Sequence, residues 1–230
     1  MNKHILYTAI GHFRRKNTAD GSYPVIIIDQ QEYMVDIQEM ILWTCLSWRF
    51  LTLEQLRRHY EQKVQGLDAT PSRPFEECVA RLVTRGLAAS GTGDTALDAL
   101  YDLLGGLYVV PVSSSVLLRV WAFLKLTLHD RIPVSKAGRL FQTDRPSPEE
   151  RRVLNLSRQA LLSTAELIKC VETKTYDVST SDKLLTALYD DTETTSRNIS
   201  FLMRDKPSTV PVLTAISNLY LRQQIIFQRL

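Results

Sequence analysis

The sequence lacks the cysteine patterns that mark disulfide-rich and zinc-binding proteins. Its three cysteines, Cys45, Cys78 and Cys170, are far apart and lie within apolar helical patterns. This spacing provides neither a disulfide framework nor a CxxC metal motif. We therefore expect all three to be small buried hydrophobic side chains.

Long hydrophobic segments are also missing. The longest apolar run, residues 113–128, is interrupted by Arg119 and Lys125, and a membrane helix needs roughly 18–20 consecutive apolar residues. The N-terminus does not have the order of a secretory signal peptide, because the basic cluster Arg14-Arg15-Lys16 follows the apolar stretch instead of preceding it. The sequence therefore predicts a cytoplasmic protein that has no membrane partner.

The sequence contains little that indicates catalysis. Its histidines, His4, His12, His59 and His129, are scattered, and none has a cysteine or carboxylate at a spacing typical of metal ligands. The sequence motifs GxSxG, GxGxxG and GxxxxGK[ST], which position nucleophiles or phosphates, do not occur. We expect neither an enzyme nor a bound cofactor or metal.

Composition indicates an ordinary globular chain with an uneven distribution of charge. The 230 residues are 44% hydrophobic and 23% charged, which suits one large or two small domains. Residues 1–112 carry 11 basic and 13 acidic residues, a net charge of −2, whereas residues 113–230 carry 17 and 12, a net charge of +5. A nucleic-acid surface would have to come from local clusters or from the second half.

The first half of the chain shows a hairpin followed by helices. Residues 1–22 are interpreted as a basic arm, and two extended runs within residues 23–35 predict a β-hairpin. Apolar spacing predicts three helices: the first at about 37–48, the second beginning at Thr52, and the third at about 73–85. Gly86 ends the third helix. Thr52 and Gln55 form a capping-box sequence.

The rest of the chain predicts a short helix, a strand and then helices only. The short helix is at 96–104, and the strand at 107–112 is expected to return beside the hairpin. The later helices are predicted at 114–130, 134–141, 148–173, 180–188, 195–204 and 211–228. The fold class that follows is mainly α with a small β component: an N-terminal winged-helix module at 23–112, then an all-helical region at 113–230 for dimerisation or for binding a partner or ligand.

The end of the third helix carries a family resemblance. Its sequence Arg81-Leu82-Val83-Thr84-Arg85-Gly86-Leu87 resembles winged-helix regulators of the MarR and PadR kind, in which such a phrase joins the recognition helix to the first wing strand. The resemblance covers roughly residues 36–95 and implies a DNA-binding transcriptional regulator that acts as a homodimer on double-stranded DNA. The DNA contacts it implies are Ser72, Arg73, Arg81 and Thr84 on the third helix, Arg57, Arg58 and Lys63 on the second, and Thr92 and Thr95 at the wing tip.

A second resemblance leads to an alternative function. The hairpin followed by Tyr33-x-Val35-Asp36-x-x-Glu39-x-x-x-Trp43 looks like the peptide-binding winged helix of PqqD-type recognition elements. In those elements a peptide adds a strand to the exposed hairpin edge. The net charge of −2 in the first half favours this alternative, as do Glu76 and Glu77 on the third helix, because both would repel phosphate. The chain would then be a non-catalytic scaffold for a peptide or protein partner.

The apolar terminal segment, residues 211–228, has hydrophobic side chains on more than one face. It must therefore be buried either within the chain or against a partner.

Overall fold

The computed structural model describes residues 3–18, 21–66, 72–112 and 146–229. Within these ranges the chain forms nine helices and eight strands, and the strands make three small sheets. The predicted fold class, a winged-helix module followed by an all-helical region, is wrong in both halves of the chain. The N-terminal region begins with four strands instead of a helical module, and the second half contributes strands to a sheet.

Strands and helices are interspersed along the chain. The strands are β1 (His4–Ala9), β2 (His12–Thr18), β3 (Gly21–Ile28), β4 (Gln31–Met34), β5 (Ala88–Gly93), β6 (Tyr108–Pro111), β7 (Leu162–Ser163) and β8 (Ile225–Gln228). The helices are α1 (Ile37–Leu46), α2 (Leu53–Gly66), α3 (Phe75–Thr84), α4 (Ala96–Leu104), α5 (Pro148–Gln159), α6 (Thr164–Glu172), α7 (Ser181–Tyr189), α8 (Ile199–Leu202) and α9 (Thr209–Leu221).

The first sheet has the order β2-β3-β4 and is antiparallel throughout. The predicted hairpin is confirmed as β3 and β4, which are joined by Asp29 and Gln30 with φ of 43° and 65°. Positive φ at both central residues is the geometry of the tight turn that matches strand twist. The segment predicted to be a basic arm instead supplies β1 and β2.

The second sheet pairs β1 with β5 over its whole length, from His4 opposite Gly93 to Ala9 opposite Ala88. Leu51, just before α2, bridges to Tyr7 of β1. No second wing strand returns beside β5 in the described residues, because the chain enters α4 directly and α4 packs across β5 and β1.

The three helices predicted after the hairpin are confirmed within a few residues. Asp36 caps α1 in a capping box with Glu39, and Thr52 and Gln55 exchange the two hydrogen bonds expected before α2. The apolar side of α3 is buried at Phe75, Val79 and Leu82.

The second half contains breaks that the helical pattern did not predict. The helix predicted at 148–173 is two helices, α5 and α6, separated by β7, and Ser163 caps α6 in a capping box with Glu166. The helix predicted at 211–228 ends at Leu221 and continues as β8. The third sheet has the order β7-β6-β8, so β6 pairs with the C-terminal strands and not with the hairpin as predicted.

One hydrophobic core runs through the described residues. The apolar terminal segment is buried within this chain, as Val212, Ile216, Leu219, Ile225 and Phe227 show. The three cysteines are free and buried, as predicted. A homodimer and the domain boundary at residue 112 remain predictions.

The predicted helices at 114–130 and 134–141, with Trp121 and Phe123, lie outside the described residues. Among the helices that are described, none has both the length and the apolar character needed to cross a membrane.

Candidate binding surface

The outward face of α3 is the surface that the sequence predicts to enter a DNA groove. Its exposed side chains are Glu76, Glu77, Ala80, Arg81 and Thr84. Two carboxylates therefore stand beside a single guanidinium. Because phosphate groups are repelled by carboxylates, this face is electrostatically poor for DNA.

Four of the five basic residues predicted to contact DNA form ion pairs within the chain. On α2, Arg57 pairs with Glu76 and lies over the ring of Phe75 at 4.7 Å, while Arg58 pairs with Glu54 at 2.9 Å. Arg57 therefore links α2 to α3, and Arg58 forms an ion pair within α2. The carboxylate partners largely compensate the charge of both arginines.

The remaining arginines of this group converge on α1. Arg73 pairs with Asp36, the residue that caps α1. Arg81 donates from Nε to Glu39 at 2.6 Å, and Arg85 donates to the other oxygen of Glu39 at 2.7 Å. The Glu39 side chain is only 1% exposed, so two guanidinium groups enclose a buried carboxylate.

This enclosure sets the charge state of Glu39. Burial by itself raises the pKa of Glu39, but hydrogen bonds from Arg85, the Asp36 backbone N–H and Arg81 outweigh it. The net result is a pKa below the ordinary value of 4.5. Glu39 is therefore ionised at neutral pH and holds both arginines in place.

The other predicted DNA contacts have structural or surface positions. Ser72 donates from Oγ to Gln38 at 3.2 Å, Lys63 is partly exposed, and Thr84 is exposed. The prediction that Thr92 and Thr95 lie at a wing tip is wrong. Thr92 belongs to β5, and Thr95 caps α4 through a capping box with Asp98.

Strand β4 lies next to Glu39 and its two arginines, and it is an edge of its sheet because no other strand of the described residues pairs with its outer side. Its residues Gln31, Glu32 and Met34 are exposed. The carbonyl of Met34 accepts a hydrogen bond from Arg85 at 2.6 Å, so this carbonyl points away from β3. Outward and inward backbone groups alternate along an antiparallel strand. We infer that the backbone of Glu32 also faces outward.

Two large apolar side chains stand at the end of this edge. Met34 is 66% exposed and Ile37, in the first turn of α1, is 72% exposed. Arg81 pairs with Glu39, whose other oxygen accepts from Arg85, and Arg85 also donates to the Met34 carbonyl. Half of the Arg81 side chain remains exposed. We call this combination of β4, Met34, Ile37, Arg81 and Arg85 the β4 edge.

The opposite edge of the same sheet has a different character. On β2, Arg14, Arg15 and Lys16 are exposed, and Lys16 pairs with Glu32 of β4 across the sheet face. Consecutive charged side chains are a common protection of edge strands against pairing with other chains. The β2 edge is therefore mainly charged, although Phe13 is also exposed there, whereas the β4 edge ends in the exposed apolar side chains of Met34 and Ile37.

Sequence reasoning did not include Glu39, Arg85, Met34 or Ile37 among the site residues. A signal was present, since Asp36-x-x-Glu39 is a capping-box sequence and belongs to the peptide-binding resemblance. Comparison of the chain with models of known families, with characterised proteins and with solved structures finds no match.

Proposed function

We propose that the protein is a non-catalytic polypeptide-binding protein that takes an extended segment of its partner as an added strand beside β4. The observation that carries the proposal is the β4 edge itself: an exposed edge strand whose outward backbone adjoins exposed Met34 and Ile37. Main-chain hydrogen bonds provide the affinity in this mode of binding, and contacts with alternate side chains provide the specificity.

The side chains of the β4 edge define the chemistry of the segment it would bind. Met34 and Ile37 favour apolar side chains on the partner, because burying them removes apolar surface from water. Arg81, which is linked to β4 through Glu39 and Arg85, keeps half of its side chain exposed and favours a carboxylate. The expected partner segment is extended and carries apolar and acidic side chains.

Glu32→Pro tests the added strand directly. Proline removes the outward N–H of Glu32 but leaves the inward bonds to β3, so we expect the affinity for a strand-forming peptide to fall about 10–100-fold. Linear peptides would be selected from a displayed random library against the full chain, and their binding measured by fluorescence anisotropy.

The matched control is Glu32→Ala, which loses the ion pair with Lys16 but keeps the backbone N–H. Its affinity is expected to stay within about threefold of the unsubstituted protein, because exposed ion pairs contribute little. Equal binding by Glu32→Pro and the unsubstituted protein, or a library that yields no binder, would rule out the proposal.

DNA binding is the second candidate, and the exposed pair Arg14 and Arg15 on β2 is the observation that favours it. If these side chains contact phosphates, the Arg14→Ala/Arg15→Ala variant should bind a short duplex more weakly. The slope of log affinity against log salt should also decrease by about 2. Electrophoretic mobility at several salt concentrations measures both, with Arg197→Ala as the control.

If the protein binds DNA, we expect it to be a homodimer that contacts two half-sites. Light scattering after size exclusion measures the oligomeric state. A monomer whose DNA affinity does not depend on Arg14 and Arg15 would remove the DNA-binding candidate.

A further inference from the structure

A large cleft lies in the C-terminal half, away from the β4 edge. Its volume is about 950 Å³, and it is formed by α5, the segment after α6 and the start of α9. Its apolar lining includes Leu156, Val171 and Val212. This volume lies near the upper end of the range for small-molecule sites.

Three arginines from one helix line this cleft: Arg151, Arg152 and Arg158. Elsewhere in the described chain, arginines such as Arg73, Arg81 and Arg222 are held by carboxylates. No such pair forms for the three cleft arginines, since the ion pairs found among the described residues include none of them. Glu149 is the acidic side chain in the lining, so the lining carries a positive net charge.

Arg152 is fixed in place by the protein. Its Nη2 donates to the carbonyls of Cys170 at 3.2 Å and Thr175 at 3.4 Å, and its guanidinium lies 4.3 Å from the ring centroid of Tyr176. Its Nε is buried and has no hydrogen-bond partner in the described part of the chain. A buried donor without a partner is energetically costly, so an acceptor that reached this Nε would be stabilising.

The two exposed arginines extend the positive surface along α5. Arg151 and Arg158 are seven residues apart, which corresponds to about 10 Å along a helix. Asn155 lies between them on the cleft side. A ligand that carries several anionic groups in a row can contact both guanidinium groups.

Two further features limit where the anion and the rest of the ligand can lie. The Glu172 carboxylate already lies at the start of α9, where it accepts hydrogen bonds from the backbone N–H and the side chain of Ser208. The Tyr176 ring is 65% exposed, with Arg152 over it. The anionic part therefore belongs along α5, and a planar group can stack near Tyr176.

We propose that this cleft binds an organic phosphate of nucleotide size, with its phosphates on Arg151 and Arg158 and its planar ring beside Tyr176. Guanidinium groups bind phosphate oxygens in a bidentate manner. The apolar lining and the exposed Tyr176 ring favour a ligand with a ring over polyphosphate alone. This proposal does not depend on the β4 edge.

Isothermal titration of the full chain with ATP in magnesium-free buffer tests the proposal. We expect saturable 1:1 binding that weakens at least about 30-fold in Arg151→Gln/Arg158→Gln, since two charge-assisted contacts are lost. Arg152 is left in place because it holds the loop after α6. The control Arg197→Gln removes an exposed arginine of the same half and should bind as the unsubstituted protein does.

Two further probes test the ring. Tripolyphosphate should bind more weakly than ATP, and Tyr176→Ala should weaken ATP binding but leave tripolyphosphate binding unchanged. The proposal is overturned if ATP does not bind, or if the double variant binds ATP as tightly as the Arg197→Gln control. Equal affinities for ATP and tripolyphosphate, unchanged by Tyr176→Ala, would show that the nucleotide class is wrong.

Discussion

Replacing Gly91 by alanine is expected to lower the free energy of unfolding by about 3 kcal/mol. A Cβ at Gly91 of β5 would lie 2.2 Å from the backbone N of Leu103 and 2.5 Å from the carbonyl O of Ala99. Both atoms belong to the backbone of α4, so no side chain can rotate away to make room. The helix would have to move off the sheet, which opens the core that it covers.

Urea unfolding followed by tryptophan fluorescence measures this change. Gly106→Ala is the matched control, because a Cβ at Gly106 meets nothing within 4 Å. The stability of the control should be unchanged or slightly higher, since alanine restricts the unfolded chain. A Gly91→Ala protein with the same urea midpoint as the control would mean that α4 does not approach β5 as closely as the structure places it.

Gly91 also shows why part of the fold does not follow from the sequence. The stretch Gly91-Thr92-Gly93 resembles a turn, which is why it predicts the tip of a wing. These glycines instead allow α4 to approach the strand, since a Cβ at Gly93 would lie 2.3 Å from the backbone N of Ala99. A close approach between two segments and a local turn require the same residue type, and the sequence alone does not distinguish them.

Local signals predict the elements that local interactions determine. The hairpin and α1 to α4 are predicted because capping pairs and apolar spacing lie within a few residues of each other. Strand β2 is not, because its sequence His12–Thr18 is mostly polar and basic, although it pairs locally with β3. Strand β1 is not either, since it pairs with β5, from which three strands and three helices separate it. Such pairing leaves little trace in a short stretch of sequence.

The C-terminal segment contains a strand that the sequence analysis did not predict, although its apolar pattern does change there. The apolar pattern of residues 211–228 predicts one helix that is apolar on several faces. The period changes at the end of α9: Ile225 and Phe227 are buried while Ile226 and Gln228 are partly exposed, which is the alternation of a strand. The break lies at Gln223, whose φ is 60°, and neither glycine nor proline marks it.

The candidate site is predicted in part. The sequence identifies Arg73 and Arg81 as site residues but not their ion pairs with Asp36 and Glu39, because these pairs depend on how α1 packs against α3. The peptide-binding resemblance includes Asp36 and Glu39 without a role for them. Their contacts with Arg73, Arg81 and Arg85 supply that role.

Removing the carboxylate of Glu39 is expected to be the other strongly destabilising change. Glu39→Ala should cost about 3 kcal/mol, the lower end of the range for breaking a buried ion pair, because half of Arg81 is already in water. Glu39→Gln should cost less, since the amide oxygen still accepts from Arg85. Thermal or urea unfolding measures both variants, and Glu77→Gln, an exposed glutamate of α3, is the control.

The dependence of this effect on pH identifies the charge of Glu39 as its cause. The folded pKa of Glu39 lies below its ordinary value of 4.5, so its contribution to stability is fully present above that value and is lost as the pH falls through the folded pKa. The difference in stability between the unsubstituted protein and Glu39→Gln should be constant near neutral pH and should shrink below about pH 4.5. A difference that stays the same at low pH would mean that packing, and not the ionised carboxylate between Arg81 and Arg85, stabilises this part of the β4 edge.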